Sequence, residues 1–227
     1  MKNRHMLAVW AGLLVTGLVG SASADVILVD FGNTSGTTAG NWNNSNLSGY
    51  TLTDMIDTDG NTTTYDLFFT TAVGQGGNWG VTAAPSPFNV SSAYNDGLFT
   101  AADTISFTLS GLSASETYDL TMFASRDATG TRITDYTVTG SGAPVILSLQ
   151  TSGTDLGGVG INHNMASTAN FSGIAPDVNN QITVSIDINS GGFAYLNAMQ
   201  ITVVPEPASL SFLLLGGLVL RLTRRRK

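Results

Sequence analysis

Two arginines supply the fixed positive charge of the central part of this chain. Arg126 follows one segment of alternating apolar and polar residues, and Arg132 precedes another, six positions later. In a hairpin the two guanidinium groups would lie close together, where they could bind a carboxylate or a cluster of sugar hydroxyls. The alternative is that each arginine forms a local ion pair, for example with Asp127 or Asp135.

Two tryptophans in irregular segments are candidates for contact with a sugar ring. Trp42 is followed by Asn43 and Asn44, and Trp79 follows Asn78. An indole ring suits the apolar face of a sugar, while neighbouring amides can donate hydrogen bonds to hydroxyls and accept them. The alternative is that each tryptophan fills an end of the hydrophobic core and that the asparagines form turns around it.

Oxygen-bearing side chains alternate around a glycine in the segment 57–61. Asp57, Asp59 and Asn61 match the first half of a calcium-binding loop, and Asp54 or Asp66 could complete the coordination. These hard oxygen ligands make calcium the expected metal. The glutamate that an EF-hand requires in its second half is absent, so an EF-hand is excluded. A structural calcium site and a simple aspartate-rich turn both stay open.

Residue patterns typical of enzymes are scarce. His163 is the only histidine outside the N-terminal segment, so a site with two histidine ligands is excluded and any histidine-dependent triad must use this residue. The Gly-x-Ser-x-Gly nucleophile motif is absent, and the central segment contains one glutamate, Glu116. A glycosidase could use two aspartates, but no pair stands out. We therefore predict a protein without catalytic activity.

The central segment 25–204 is strongly acidic. Seven of the nine lysines and arginines lie in the terminal segments, which leaves two arginines against 15 acidic side chains, a formal charge of −13, where the whole chain has −7. Such a surface repels phosphate groups, so nucleic acid is excluded as a partner. Cysteine is absent, so neither disulfides nor thiolate metal sites hold the fold together.

The hydrophobic pattern predicts an all-β fold. Apolar and polar residues alternate with a period of two, which predicts strands over 26–31, 64–70, 105–109, 118–124, 134–139, 145–149, 182–188 and 195–203. We expect 105–109 to pair with 118–124, and 182–188 with 195–203, within an antiparallel sandwich or jelly roll. The irregular segments 32–60 and 73–98 are expected to form long loops at one end of the sandwich, where binding sites are frequent.

The N-terminus has the features of an export signal. Lys2 and Arg4 precede the apolar stretch 6–19, and residues 22–24 give the small-residue pattern of a cleavage site. Residues 1–24 therefore predict a secretory signal peptide with a helical apolar region.

The C-terminus contains a tripartite pattern. Pro205, Glu206 and Pro207 lead into a predicted apolar helix over 208–222, which overlaps a basic end over 221–227. This tail resembles the PEP-CTERM sorting signal. The resemblance implies that an exosortase-type membrane protease is a partner. It also implies a periplasmic, cell-surface or extracellular location, with transient membrane anchoring through the apolar helix. At less than about 20 residues, that helix is short for a membrane span and would be a marginal anchor.

Several short motifs of the central segment suggest a family of folds. They are DFGN at 30–33, NWNN at 41–44, YDLTMFASR at 118–126, Arg132 with YTVTG at 136–140, and YLNAM at 195–199. Together they resemble secreted bacterial jelly-roll modules of the galactose-binding-like type. The resemblance implies an antiparallel β-sandwich, of a kind often found beside carbohydrate-active domains or sorting tails.

These observations predict a signal peptide at 1–24, a β-sandwich domain at 25–204 and a sorting tail at 205–227. The expected function is that of an exported envelope or matrix protein, a non-catalytic binding module for exopolysaccharide. The candidate sugar-binding residues are Trp42, Asn43, Asn44, Trp79, Arg126 and Arg132. Two alternatives stay open, a secreted hydrolase acting on glycans or esters and a purely structural surface protein.

Overall fold

The computed structural model describes residues 24–32, 36–45, 51–71 and 74–205. In chain order, the elements of these ranges are β1 (Val26–Asp30), β2 (Trp42–Asn44), β3 (Thr51–Leu52), β4 (Asp66–Phe69), β5 (Gly74–Gly76), α1 (Ser91–Tyr94), β6 (Gly97–Thr100), β7 (Ile105–Ser110), β8 (Glu116–Phe123), β9 (Arg132–Thr139), β10 (Val145–Ser152), β11 (Ala169–Ile174), β12 (Ile182–Ser190), β13 (Ala194–Leu196) and β14 (Ala198–Pro205). The predicted signal peptide, apart from residue 24, lies outside the described residues. So do Glu206, Pro207, the predicted apolar helix at 208–222 and the basic end at 221–227. Within these ranges, no helix is long and apolar enough to span a membrane.

The strands form a β-sandwich. One sheet has five strands in the order β11-β8-β14-β1-β2, and the other has six in the order β10-β9-β12-β7-β4-β3. A small third sheet has the strand order β13-β6-β5. The prediction of an all-β sandwich is confirmed. The strand pairs are antiparallel with one exception, since β2 runs parallel to β1 along Leu28–Asp30.

The main core lies between the two large sheets. In β7, Ile105, Phe107 and Leu109 are buried while the residues between them are partly exposed, because successive side chains of a strand point to opposite faces. Phe107 is at the centre of an aromatic cluster. Its ring centroid is 5.7 Å from that of Phe31 and 5.4 Å from that of Phe69.

The predicted strand pairs are wrong, although the strands themselves exist. β7 pairs with β12 and β4, and β8 pairs with β14 and β11, so β7 and β8 belong to opposite sheets. The same holds for β12 and β14. The physical reason is that alternation reports one buried face per strand. That pattern is the same for neighbours within a sheet and for strands that face each other across a core.

The predicted strand at 195–203 is interrupted at Asn197. Residues before it form β13 in the small sheet, and residues after it form β14 at the centre of the five-stranded sheet.

The predicted long loops at 32–60 and 73–98 contain β2, β3, β5 and α1, each only two to four residues long.

The register of β8 against β14 defines two ends of the sandwich. Glu116 pairs with Pro205 at one end, and Phe123 pairs with Ala198 at the other. At the rise of a β-strand these two pairs are about 23 Å apart. The chain therefore leaves the domain at Pro205 from the end opposite to the segment that follows Phe123.

Candidate functional site

A cleft opens at the end of the sandwich where β8 ends and β9 begins. Its volume is about 350 Å³, which is within the range of small-molecule sites. Residues 75–77 form part of its lining, and the remaining lining residues are Trp79, Phe99, Arg126, Arg132, Phe193 and Tyr195. We call it the arginine–aromatic cleft. A neighbouring concavity of about 340 Å³ has no aromatic or cationic side chain in its lining.

Aromatic rings form the floor of the cleft. The Tyr195 ring packs edge-on against Trp79 at 5.2 Å and lies nearly parallel to Phe193 at 6.1 Å between centroids. Trp79 is only 3% exposed, while Phe193 and Phe99 are half-buried. A Cβ on Gly76 would lie 2.4 Å from the indole Nε1 of Trp79, so glycine at this position lets the indole approach the cleft wall.

The two arginines lie over these rings. The Cζ of Arg126 is 5.6 Å from the ring centroid of Trp79, and the Cζ of Arg132 is 4.6 Å from that of Phe193. Both distances are within the range of cation–π contact. Arg132 also donates a hydrogen bond from Nη1 to the Tyr195 hydroxyl. The structure thus brings together three of the residues predicted from the sequence, Trp79, Arg126 and Arg132.

No acidic side chain of the described residues lies within 4 Å of either guanidinium group. Across the described ranges, the one contact within 4 Å between an arginine or histidine and an acidic side chain joins His163 to Asp127 at 3.9 Å. Asp135 instead accepts hydrogen bonds from Ser148 at 2.5 Å and Asn189 at 3.0 Å. The local ion pairs that the sequence left open are therefore not formed.

Tyr195 does not neutralise the arginines either. Burial raises the pKa of its phenol, and the positive charges of Arg132 and Arg126 offset part of that increase. The phenol is thus uncharged at neutral pH. Two buried hydrogen bonds hold the backbone of Tyr195. The Tyr136 hydroxyl donates to the Tyr195 carbonyl at 2.6 Å, and the Tyr195 N–H donates to Thr134 Oγ1 at 3.0 Å.

Two buried asparagines hold the segment that carries Arg126. Asn197 accepts a hydrogen bond from the Ser125 N–H at 2.8 Å and donates one to the Tyr94 carbonyl at 2.7 Å. Asn164 donates to the Ala124 carbonyl at 3.0 Å, and its own carbonyl accepts from the Ser125 hydroxyl at 2.7 Å. Sequence reasoning assigned these asparagines no role. The available signal was an amide that interrupts an apolar stretch, as Asn197 does.

Trp42, Asn43 and Asn44 do not line the arginine–aromatic cleft. Trp42 is half-buried and packs against a second, smaller hydrophobic cluster that contains Phe88 and Phe123. Asn43 donates to the Leu28 and Ile56 carbonyls, and Asn44 donates to the Thr38 carbonyl at 2.9 Å. These amides therefore secure β2 and its neighbouring loop. These backbone contacts occupy hydrogen-bonding groups of the two amides that a sugar was expected to use.

The candidate calcium loop closes on itself. Asp57 Oδ1 accepts from the N–H groups of Asp59 and Asn61 at 2.9 and 2.7 Å, and Oδ2 accepts from the Asn61 amide at 2.9 Å. Asp54 and Asp66 contact each other through a backbone N–H at 2.9 Å. No group of three or more His, Cys, Asp or Glu side chains within the described ranges could hold a metal ion. This geometry is that of an aspartate-capped turn, the alternative to a calcium site.

Asp57→Asn is expected to lower the Tm at pH 7, and less so in acid. The hydrogen bond from Asn61, together with backbone N–H bonds, lowers the pKa of Asp57. A lowered pKa means that the folded state favours the ionised carboxylate. Its stabilisation is complete above the ordinary pKa, about 4, and disappears as the pH falls through the lowered value. Thermal denaturation at pH 7, 5 and 2 measures the Tm difference between the unmodified protein and Asp57→Asn. This difference should be similar at pH 7 and pH 5 and smaller at pH 2.

A Tm difference that is the same at pH 7 and pH 2 would contradict this role for the charge. Added calcium provides a second comparison. A rise in the Tm of the unmodified protein that is absent from Asp57→Asn would favour the calcium interpretation over the self-contained turn.

His163 connects two loops near the cleft. It is buried, and its Nε2 accepts from the backbone N–H of Thr82 at 3.2 Å and lies 3.1 Å from the Thr82 hydroxyl. Its Nδ1 is 3.9 Å from Asp127, beyond hydrogen-bond distance. A hydroxyl, an imidazole and a carboxylate follow one another in Thr82, His163 and Asp127, as they do in a catalytic triad. However, the Thr82 N–H already bonds to the Nε2 lone pair that His163 would need as a general base. The geometry therefore favours a structural role for His163.

Several solved structures that contain carbohydrate-binding modules are similar to this chain at low identity. One is TmCBM61 in complex with β-1,4-galactotriose, at 14% identity and a TM-score of 0.32, covering 60% of this chain and 86% of that chain. Another is the CBM36-1 domain of a multidomain xylanase from the hindgut metagenome of Trinervitermes trinervoides. Its identity to this chain is 15% and the TM-score is 0.31, and the match covers 60% of this chain and 95% of that chain. A third is the CBM22-1–GH10 portion of Clostridium thermocellum endo-1,4-β-D-xylanase 10B with xylohexaose. Its identity to this chain is 17% and the TM-score is 0.31, and the match covers 62% of this chain and 26% of that chain. These TM-scores are too low for a functional inference. The sequence matches no protein-family model and no curated protein.

Proposed function

We propose that this protein is an exported, non-catalytic carbohydrate-binding protein of the cell envelope or extracellular matrix. Its domain, of the jelly-roll, galactose-binding-like type, binds exopolysaccharide through the arginine–aromatic cleft. The observation that carries the proposal is the convergence of Trp79, Phe193 and Tyr195 with Arg126 and Arg132 on one surface cleft.

The cleft offers the two kinds of contact that a sugar needs. The half-buried Phe193 and Phe99 present apolar surface for the C–H face of a ring. Each guanidinium has five N–H donors, which suit the hydroxyl rim. Burial of such a ring against aromatic surface supplies affinity, and the directed donors supply specificity.

Export and sorting complete the proposal. The terminal segments carry seven of the nine basic residues around an acidic centre, the arrangement expected when the ends stay inside and the centre is translocated. An exosortase-type membrane protease then recognises Pro205, Glu206 and Pro207 and processes the tail, after transient anchoring in the membrane. Detection of the secreted protein without residues 206–227 would test this step, and secretion with the tail intact would contradict it.

Phe193→Ala is expected to weaken polysaccharide binding by about tenfold. Loss of one stacked aromatic ring removes about 1.5 kcal/mol, which is a tenfold change in Kd. Native affinity electrophoresis of the purified protein through gels that contain galactan, xylan or polygalacturonate measures the retardation. The unmodified protein should be retarded by at least one of these polysaccharides, and Phe193→Ala should migrate nearly as it does in an empty gel.

Phe68→Ala is the matched control. Phe68 is 50% exposed on the outer face of β4, in a separate groove, so its removal should leave the retardation unchanged. Loss of binding in Phe68→Ala alone would move the site to that groove. If no polysaccharide retards the unmodified protein, carbohydrate binding is excluded and a structural surface role is favoured. Release of product from glycoside or ester substrates would instead favour a hydrolase.

A further inference from the structure

The charge distribution of the domain singles out the arginine–aromatic cleft. Arg126 and Arg132 are the two basic side chains between residues 25 and 204, where 15 side chains are acidic. Both line the same cleft, although β8 and β9, which flank them, belong to opposite sheets. The whole fixed positive charge of an acidic domain is therefore placed in one concavity, where a local positive potential attracts anions that the surrounding surface repels.

Among the described residues, no acidic side chain pairs with Arg126 or Arg132. Arginines on a surface with many carboxylates usually form local pairs. Here the two nearest aspartates in the sequence are directed elsewhere, Asp127 towards His163 and Asp135 towards Ser148 and Asn189. No side-chain hydrogen bond from Arg126 is formed within the described ranges, and Arg132 forms one, to the neutral Tyr195 hydroxyl. Most of the ten guanidinium N–H donors thus remain for a ligand.

The aromatic contacts fix the positions of these charges. The Cζ of Arg126 is 5.6 Å from the ring centroid of Trp79, and the Cζ of Arg132 is 4.6 Å from that of Phe193, so cation–π contact holds both guanidinium groups in the cleft. A guanidinium group is a planar fork of N–H donors and is suited to bidentate contact with a carboxylate. A neutral sugar needs hydrogen-bond donors but no net positive charge.

We propose that the arginine–aromatic cleft selects acidic sugars, with Arg126 and Arg132 binding the carboxylate of a uronic acid residue while Phe193 contacts its ring. This inference rests on the proposed carbohydrate-binding function and names the ligand class. Charge selection also suits a domain of formal charge −13, which would otherwise be repelled by an anionic polysaccharide.

The test compares one polymer in two charge states. Isothermal titration of the purified protein with oligogalacturonate and with its fully methyl-esterified form separates the carboxylate from the sugar ring. We expect the acid to bind at least tenfold more tightly at low ionic strength, with a smaller difference in high salt. In Arg126→Gln and Arg132→Gln the ratio should fall below about threefold, because removal of one charge-assisted contact weakens binding of the acid more than binding of the ester. Arg132→Lys, which keeps the charge but not the fork, should retain part of the selectivity.

Ala114→Asp is the control for net charge. It shifts the net charge in the same direction and by the same amount as each Arg→Gln change. Its site is exposed and lies two residues before Glu116, at the Pro205 end of the sandwich. Its selectivity should equal that of the unmodified protein. Equal loss of selectivity in Ala114→Asp and Arg126→Gln would overturn the assignment to the cleft.

The remaining outcomes separate this inference from the proposed function. Equal affinity for the acid and its ester would overturn acid selection and leave carbohydrate binding intact. Binding to neither form, nor to any neutral polysaccharide, would overturn the proposed function itself. If a sulfated galactan of similar charge density bound as tightly as oligogalacturonate, the carboxylate assignment would be wrong.

Discussion

Phe107→Ala is expected to lower the free energy of unfolding by about 3–5 kcal/mol, the range for truncation of a buried phenylalanine. Phe107 is fully buried at the centre of β7, and its ring contacts Phe31 and Phe69. Alanine would leave a cavity between the two large sheets, since β7 is paired on both sides and the backbone cannot close around the gap. Urea denaturation followed by tryptophan fluorescence measures the change.

Phe68→Ala provides the comparison for Phe107→Ala. Phe68 is on the neighbouring strand β4 and pairs with Thr108, but its side chain is half exposed on the outer face. Its removal should cost about 1 kcal/mol, because only part of its apolar area is lost from contact. Similar costs for the two variants would contradict the placement of the core between the sheets.

Asn197→Ala is expected to lower the free energy of unfolding by about 2–5 kcal/mol, although it removes only a small polar group. The side chain is fully buried between β13 and β14 and pairs with the Ser125 N–H and the carbonyls of Ser125 and Tyr94. Truncation leaves these buried groups without partners, at about 1–3 kcal/mol each. The same urea titration applies. Because Ser125 precedes Arg126, polysaccharide binding should weaken together with stability.

Asn197→Asp distinguishes lost hydrogen bonds from lost volume. The aspartate fills the same space, but its second oxygen would face the carbonyls of Tyr94 and Ser125 and add a buried charge. We expect a loss at least as large as for alanine. Asn170→Ala, on the exposed side of β11, should change stability by less than about 0.5 kcal/mol. A mild effect of Asn197→Asp would show that packing, not hydrogen bonding, is the role of this residue.

The long strands of this fold could be predicted because each buries one face. Ile105, Phe107 and Leu109 alternate with polar residues, and the structure places β7 over those positions. Strand partners could not be predicted from the same pattern, since burial does not state which sheet a strand joins. The short strand β2 was missed for a related reason. Asn43 holds it through hydrogen bonds to the carbonyls of Leu28 and Ile56, which are 15 and 13 positions away, and a local sequence pattern does not reveal such contacts.

Part of the candidate site could be predicted because its residues are rare in this chain. Arg126 and Arg132 stand out in a segment with no other basic side chain, and Trp79 is one of three tryptophans. Phe99, Phe193 and Tyr195 could not be distinguished from core residues, because an aromatic in an apolar stretch has the same sequence signal whether it faces the core or a cleft. Their role depends on β6 and β13 meeting at the end of the sandwich.

The register of β14 has a mechanical consequence. A ligand held in the cleft and a support attached beyond Pro205 would pull on opposite ends of the sandwich, nearly parallel to the strands. β14 is bonded on one side to β8 and on the other to β1, and these ladder bonds are perpendicular to that direction. Under this tension, the hydrogen bonds of β14 would be loaded in shear and would have to break together. A force perpendicular to the strands would instead break them one after another. If the cleft binds a polymer and the chain is attached beyond Pro205, as proposed, the domain would bear tensile load along its strands.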